Sequence, residues 1–242
     1  METQRPSIEV PATPTSFQLD PAACAVVVVD MQNDFGSTGG MFDRAGIDIT
    51  VVRAIVPTVR AVLDVARDAG LPIVYLKMGF SPDLADAGYP TSPTWLKHVP
   101  LRAGDVVEAP DGRPSRILIR DCWNTEIVPE LTPKDGDTVL YKTRYSGFYG
   151  TDLDRVLQSK GIRQLVVVGA TTSVCVESTV RDAVFRDLHC LVVADATAEP
   201  IAADAVRSNH EASLLTLELL FASITRSSDL IASLRTAAAV ST

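Results

Sequence analysis

Apolar and polar positions along this chain follow two periods. Short, nearly continuous apolar runs at 25–29, 71–76, 138–142, 165–168 and 190–194 are rich in β-branched residues, end at polar residues or glycine, and predict strands buried on both faces. Between them the period changes to that of a helix. Val52, Ile55, Val59, Leu63 and Ala66 share one face of a helix that Gly70 and Pro72 stop, with Pro57 marking a bend or its first turn. Leu153, Val156 and Leu157 form a second face, opened by a Thr151/Asp154 capping box and closed by Gly161. Val176, Val180, Ala183 and Val184 form a third. A helix over 199–215, an edge strand over 219–225 and a final helix from Ser227 to about Ala238 complete the pattern. Strands alternating with helices predict an α/β fold with a doubly wound parallel sheet flanked by helices.

The alternation fails from about 78 to 137, where eight prolines and both tryptophans accompany scattered apolar runs. Excursions of this length in a compact fold are usually binding loops or lids, so this one is expected to shape a pocket. Residues 20–242 then read as a single domain and residues 1–19 as a flexible lead-in.

Composition narrows the partners. A formal charge of −8 and a pI near 4.9 disfavour nucleic acid and membrane surfaces, which leaves a small-molecule ligand. No apolar run approaches the roughly 18 residues needed to span a bilayer, and the amino terminus lacks a secretory pattern, so a cytoplasmic protein is expected. Cysteines 24, 122, 175 and 190 show no paired spacing, and Cys24 and Cys190 begin apolar strands as small hydrophobes. His98, His189 and His210 have no metal-like spacing, and no strand-to-helix turn carries a dinucleotide or P-loop fingerprint. No metal and no cofactor are expected.

Candidate chemistry sits where strands end. Asp30 follows the first apolar run, Lys142 ends the third, and Cys175 opens the helix after Gly169. The carboxyl ends of parallel strands line one edge of an open sheet, so the three can converge there. A thiol in a first helical turn faces unpaired N–H groups, which predicts a lowered pKa at Cys175. Asp30 can accept its proton and Lys142 can hold the thiolate.

Three motifs carry a family resemblance. They are Val28-Val29-Asp30-Met31-Gln32-Asn33-Asp34-Phe35, then Lys142 with Tyr145-Ser146-Gly147-Phe148 and Thr151-Asp152-Leu153, then Gly169, Thr172, Cys175-Val176 and Thr179 with Arg181-Asp182-Ala183. In this order they resemble the isochorismatase-like cysteine hydrolases, over about Asp20 to Leu234, and within them the ureidoacrylate amidohydrolases of pyrimidine breakdown. The resemblance implies six strands in order 3-2-1-4-5-6 and gives Asp30, Lys142 and Cys175 the same three roles. It also implies an oxyanion hole from the backbone N–H groups of Thr171 and Cys175, a cis peptide between Ala170 and Thr171, and a dimer or tetramer. The activity implied is amide C–N hydrolysis through a thioester, with release of ammonia. Other amides, such as biuret or carbamoyl amino acids, and a non-catalytic binding role are the alternatives.

Asn33, Phe35, Phe80, Trp95, Tyr145 and Phe148 are the candidate pocket walls. Metal-binding nicotinamidase relatives carry an aspartate and histidines where this chain reads Lys77-Met78-Gly79-Phe80, which again implies no metal. The chain departs from the ureidoacrylate pattern at Met78 and Phe80, which replace an asparagine and a tryptophan. Loss of a polar partner there redirects specificity.

Overall fold

The structure is a computed structural model that describes residues 7–202 and 208–240. Six parallel strands form its sheet: β1 (Cys24–Val29), β2 (Ile73–Met78), β3 (Thr138–Lys142), β4 (Gln164–Ala170), β5 (His189–Ala198) and β6 (Ser223–Thr225). They lie in the expected order 3-2-1-4-5-6. β1 occupies the centre, with Val26 opposite Ile73 on one side and Val166 on the other. All six of its residues are buried, and they alternate between two cores.

Val26 and Val28 face the core shared with α1 (Thr50–Asp68) and α5 (Ser227–Val240). Ala25, Val27 and Val29 face α2 (Leu153–Ser159), α3 (Glu177–Val184) and α4 (Asn209–Leu220). Pro57 lies inside α1, on its exposed side, where the carbonyl it leaves unpaired can reach water. Gly169 in β4 meets the need for contact between neighbouring strands. Its φ is +118°, and a Cβ there would lie 2.1 Å from the Val29 carbonyl oxygen.

Several expectations need correction. Residues 7–19 are no flexible lead-in: Ile8–Val10 pairs antiparallel with Phe17–Leu19, and Val10 and Leu19 are fully buried against the α1 core. Thr13 and the β6 residue Ile224 exchange two backbone hydrogen bonds of 2.9 Å, so this hairpin also covers a sheet edge. Strand β5 runs past Asp195 to Ala198, because that carboxylate caps α5 by accepting from Ser227 instead of ending the strand. The helix expected over 199–215 begins at Asn209, capped by the Ser208 hydroxyl, and its segment 203–207 lies outside the described residues. Thr151 accepts from the Leu153 N–H and donates to the Gly147 carbonyl, an ST turn instead of a capping box.

The excursion after β2 has its own small core. A short helix (Pro93–His98) and an antiparallel ribbon (Val106–Glu108 with Pro114–Arg116) pack Phe80, Ile117, Leu118 and Ile119 against Phe35, Met41 and Phe42 of the loop after β1. One buried carboxylate ties the two segments together. Asp34 accepts hydrogen bonds from the Met41 and Leu118 N–H groups and from the Asn124 amide. Burial pushes its pKa up to about 7 against the downward pull of those three donors.

Candidate active site

Three strand ends and one turn build the site. Asp30 follows β1 with φ +50°, a left-handed conformation that aspartate tolerates better than most residues. Its N–H donates to the Leu76 carbonyl of β2 at 2.9 Å, which holds the turn at the sheet edge. Next to it, the buried Gln32 amide exchanges hydrogen bonds of 2.9 and 2.8 Å with the backbone of Met78, closing the gap between the ends of β1 and β2. Lys142 ends β3 opposite Met78, and its side chain is fully buried.

Beyond β4 the Ala170–Thr171 peptide is cis, followed by a π-helical turn over Thr172–Val176 that leads into α3. Three groups fasten this turn. Thr179 donates to the Cys175 carbonyl at 2.7 Å, and the buried Glu199 carboxylate accepts from the Ser173 N–H at 2.7 Å and from its hydroxyl. His210 Nδ1 lies 2.9 Å from the Thr172 hydroxyl.

These supports bring Asp30, Lys142 and Cys175 together as expected. Lys142 Nζ lies 2.7 Å from Asp30 Oδ2 and 3.3 Å from Cys175 Sγ. Asp30 is 1% and Cys175 7% exposed, so the three charges or potential charges interact with little screening by water. Burial raises the Asp30 pKa, opposed by the pull of Lys142. Burial pulls Lys142 down, but Asp30 and Cys175 more than offset it, and Lys142 stays protonated. Neither Asp30 oxygen has a well-aligned hydrogen bond among the described residues, which leaves the carboxylate ready to take a proton.

The lowered pKa expected for Cys175 is not found. Burial, followed by the negative charge of Asp30, pushes the thiol well above its ordinary value, and Lys142 recovers only part of that. Cys175 does lie in the opening π-helical turn, but desolvation of a thiolate at this depth outweighs a terminal dipole.

A cavity of about 120 Å³ opens onto Asp30, Thr171 and Cys175. Of the expected walls, Phe35 and Tyr145 line it. The other four do not. Asn33 uses its amide on the Trp123 carbonyl and the Ser37 hydroxyl, and Phe80 lies fully buried behind His98 with its ring edge-on at 5.6 Å. Trp95 packs into the small core of the excursion, and Phe148 belongs to the core below, beneath Arg186.

Lys97, His98, Met41, Phe42 and Leu101 are lining residues that the sequence reading missed. His98 Nδ1 is 2.7 Å from the Thr94 carbonyl and so carries the proton, and burial lowers the ring's pKa and keeps it neutral. A far larger hollow, about 1210 Å³, opens at the opposite edge of the sheet around Arg67, Lys134 and Lys160. It contains none of the three reactive groups. Among the described residues no group of three or more His, Cys, Asp or Glu could hold a metal ion, and no helix is long and apolar enough to cross a membrane.

The isochorismatase domain model matches residues 24–229, a span holding every strand of the sheet and all three reactive groups. The chain belongs to the isochorismatase family. The ureidoacrylate amidohydrolase RutB of Caulobacter segnis is 43% identical over 190 residues, 78% of each chain. Among solved structures, a cysteine hydrolase from Pseudomonas syringae pv. phaseolicola has a TM-score of 0.75 at 27% identity, covering 98% of this chain and 100% of that one. The N-carbamoylsarcosine amidase from Thermoplasma acidophilum has a TM-score of 0.60 at 29% identity, with 85% and 96% covered. The six-stranded sheet flanked by helices is thus the isochorismatase-family fold that the sequence resemblance implied.

Proposed function

We propose that this isochorismatase-family protein is a cysteine-dependent amidohydrolase that cleaves a C–N bond of a small ureido, carbamoyl or amide compound, ureidoacrylate-like compounds above all. One observation carries the reading: a lysine ammonium lies 2.7 Å from a buried carboxylate and 3.3 Å from a buried thiol, at the floor of a closed-in cavity.

Because the resting thiol is neutral, the proton moves as substrate is attacked. Asp30 takes it from Cys175, the sulfur bonds to the substrate carbonyl carbon, and Lys142 stabilises the transient thiolate. The N–H groups of Thr171 and Cys175 receive the oxyanion. Asp30 then protonates the departing nitrogen as the C–N bond breaks, leaving a thioester on Cys175. Water, giving a proton back to Asp30, hydrolyses the thioester and restores the thiol. A ureido substrate leaves a carbamoyl group on sulfur, which hydrolysis converts to carbamate and then to ammonia and carbon dioxide.

The same proposal places the enzyme in the cytoplasm as a dimer or tetramer, with Leu219 and Leu220, 68% and 75% exposed on α4, offering apolar surface for association. Ammonia release from ureido acids, carbamoyl amino acids, biuret and simple amides tests the chemistry. Turnover of ureido acids should fall at least about 10⁴-fold in Cys175→Ala. Activity surviving that change overturns the mechanism, and turnover confined to another amide keeps the mechanism but replaces the substrate.

A further inference from the structure

The cavity is polarised from floor to rim. Cys175 and Asp30 form a buried floor, and Phe42, Met41 and Leu101 give apolar sides. At the rim stands Lys97, on the short helix Pro93–His98. Lys97 is exposed and makes no ion pair among the described residues. The other ammonium of the site, Lys142, is engaged with Asp30 and Cys175. Asp30 is also the cavity's single carboxylate among the described lining residues, and His98, beside Lys97, is neutral. Lys97 is therefore a cation with no counter-ion at the open end of a short apolar sleeve whose closed end holds a nucleophile. In a chain of net charge −8 it is a local attraction for an anion that the rest of the surface repels.

We propose that Lys97 determines specificity by receiving a carboxylate at the far end of the substrate, separated by a short spacer from the carbonyl that Cys175 attacks. This deepens the amidohydrolase reading and rests on it for the chemistry at the floor. A carbamoyl group alone would leave Lys97 unused. An acid whose carboxylate is joined to the reacting carbonyl by a short spacer would pair both ends of the cavity.

The test uses two alkylating reagents of matched shape, 4-bromocrotonate and its neutral amide, with the full-length protein. Each forms a bond from the Cys175 sulfur to the reagent's terminal carbon, while bromide leaves with the electron pair and the thiol proton passes to Asp30. Mass spectrometry of the Cys175 peptide separates this reaction from labelling of the partly exposed Cys122. The quantity read is the ratio of acid to amide rates. It should fall about two- to fivefold in Lys97→Met and return in Lys97→Arg, the size expected of an exposed ion pair.

An unchanged ratio in Lys97→Met overturns the proposal, as does equal slowing of both reagents, which would mark a structural role. The two readings also separate. If wild type hydrolyses no ureido acid but the ratio still depends on Lys97, the substrate reading fails and the anion-selecting role stands. If ureido acids are hydrolysed and the ratio does not move, Lys97 alone is refuted.

Discussion

Replacing Lys142 with Met leaves a buried carboxylate without its counter-ion, since Asp30 is 1% exposed and its close cationic partner is the Lys142 ammonium. Removing one member of a buried pair costs about 3–5 kcal/mol when the other keeps its charge. Asp30 can relieve that cost by binding a proton. Burial already raises its pKa, and Lys142 is the main force holding it down, so in the variant the folded-state value climbs further above the unfolded one. A carboxyl group raised in this way contributes stability in full below its unfolded pKa and loses it as pH rises through its folded pKa. The loss is about 1.4 kcal/mol per pH unit within that window.

Lys142→Met should therefore lie closer to wild type at pH 5.5 than at pH 7.5. Urea unfolding followed by tryptophan fluorescence at the two pH values measures the gap. Asp34, with a pKa of about 7, titrates in the same window, but it does so in both proteins and cancels in the difference. In Asp30→Asn/Lys142→Met the orphaned charge is gone, and the double variant should regain about 2 kcal/mol at pH 7.5 relative to Lys142→Met. A gap independent of pH, or a double variant no more stable than the single one, would refute the coupling.

Two further outcomes are expected. Asp30→Asn removes the negative charge that raises the Cys175 pKa while keeping Lys142 beside the sulfur, so iodoacetamide should label Cys175 faster near neutral pH even as ammonia release is lost; slower labelling would show that Asp30 does not oppose thiolate formation. Gly169→Ala forces a Cβ onto the Val29 carbonyl at φ +118°, and urea unfolding should report a loss of about 3 kcal/mol or more, whereas a loss under about 1 kcal/mol would mean that β1 and β4 part easily.

The sheet was legible because its signal is local. Val26 to Val29 and Val166 to Val168 are continuous β-branched runs that, alternating with helical segments, fit a parallel sheet covered on both faces, and such a sheet puts Asp30, Lys142 and Cys175 on one edge. The hairpin before β1 escaped notice because three-residue strands between prolines carry too few alternating positions to show a period. Lys97 and His98 were illegible for a different reason. Nothing in Pro93–His98 says which way that helix faces, because its placement depends on Phe80, Ile117 and Leu118 packing against the loop after β1. The state of the Cys175 thiol was misread because a local dipole can be inferred from sequence and the depth of burial cannot.

The three hydrogen bonds to Asp34 bear on how such a pocket changes over generations. Two of the three donors are backbone N–H groups, those of Met41 and Leu118, which any residue but proline supplies. Side chains along the excursion can thus be exchanged without loosening its attachment, while Asp30, Lys142 and Cys175 stay in place on a separate sheet edge. Selection for a new substrate can act on the walls that the excursion supplies, Lys97, His98 and Leu101, and leave the reaction intact, a freedom that the walls sharing a loop with Asp30 or Lys142 do not have.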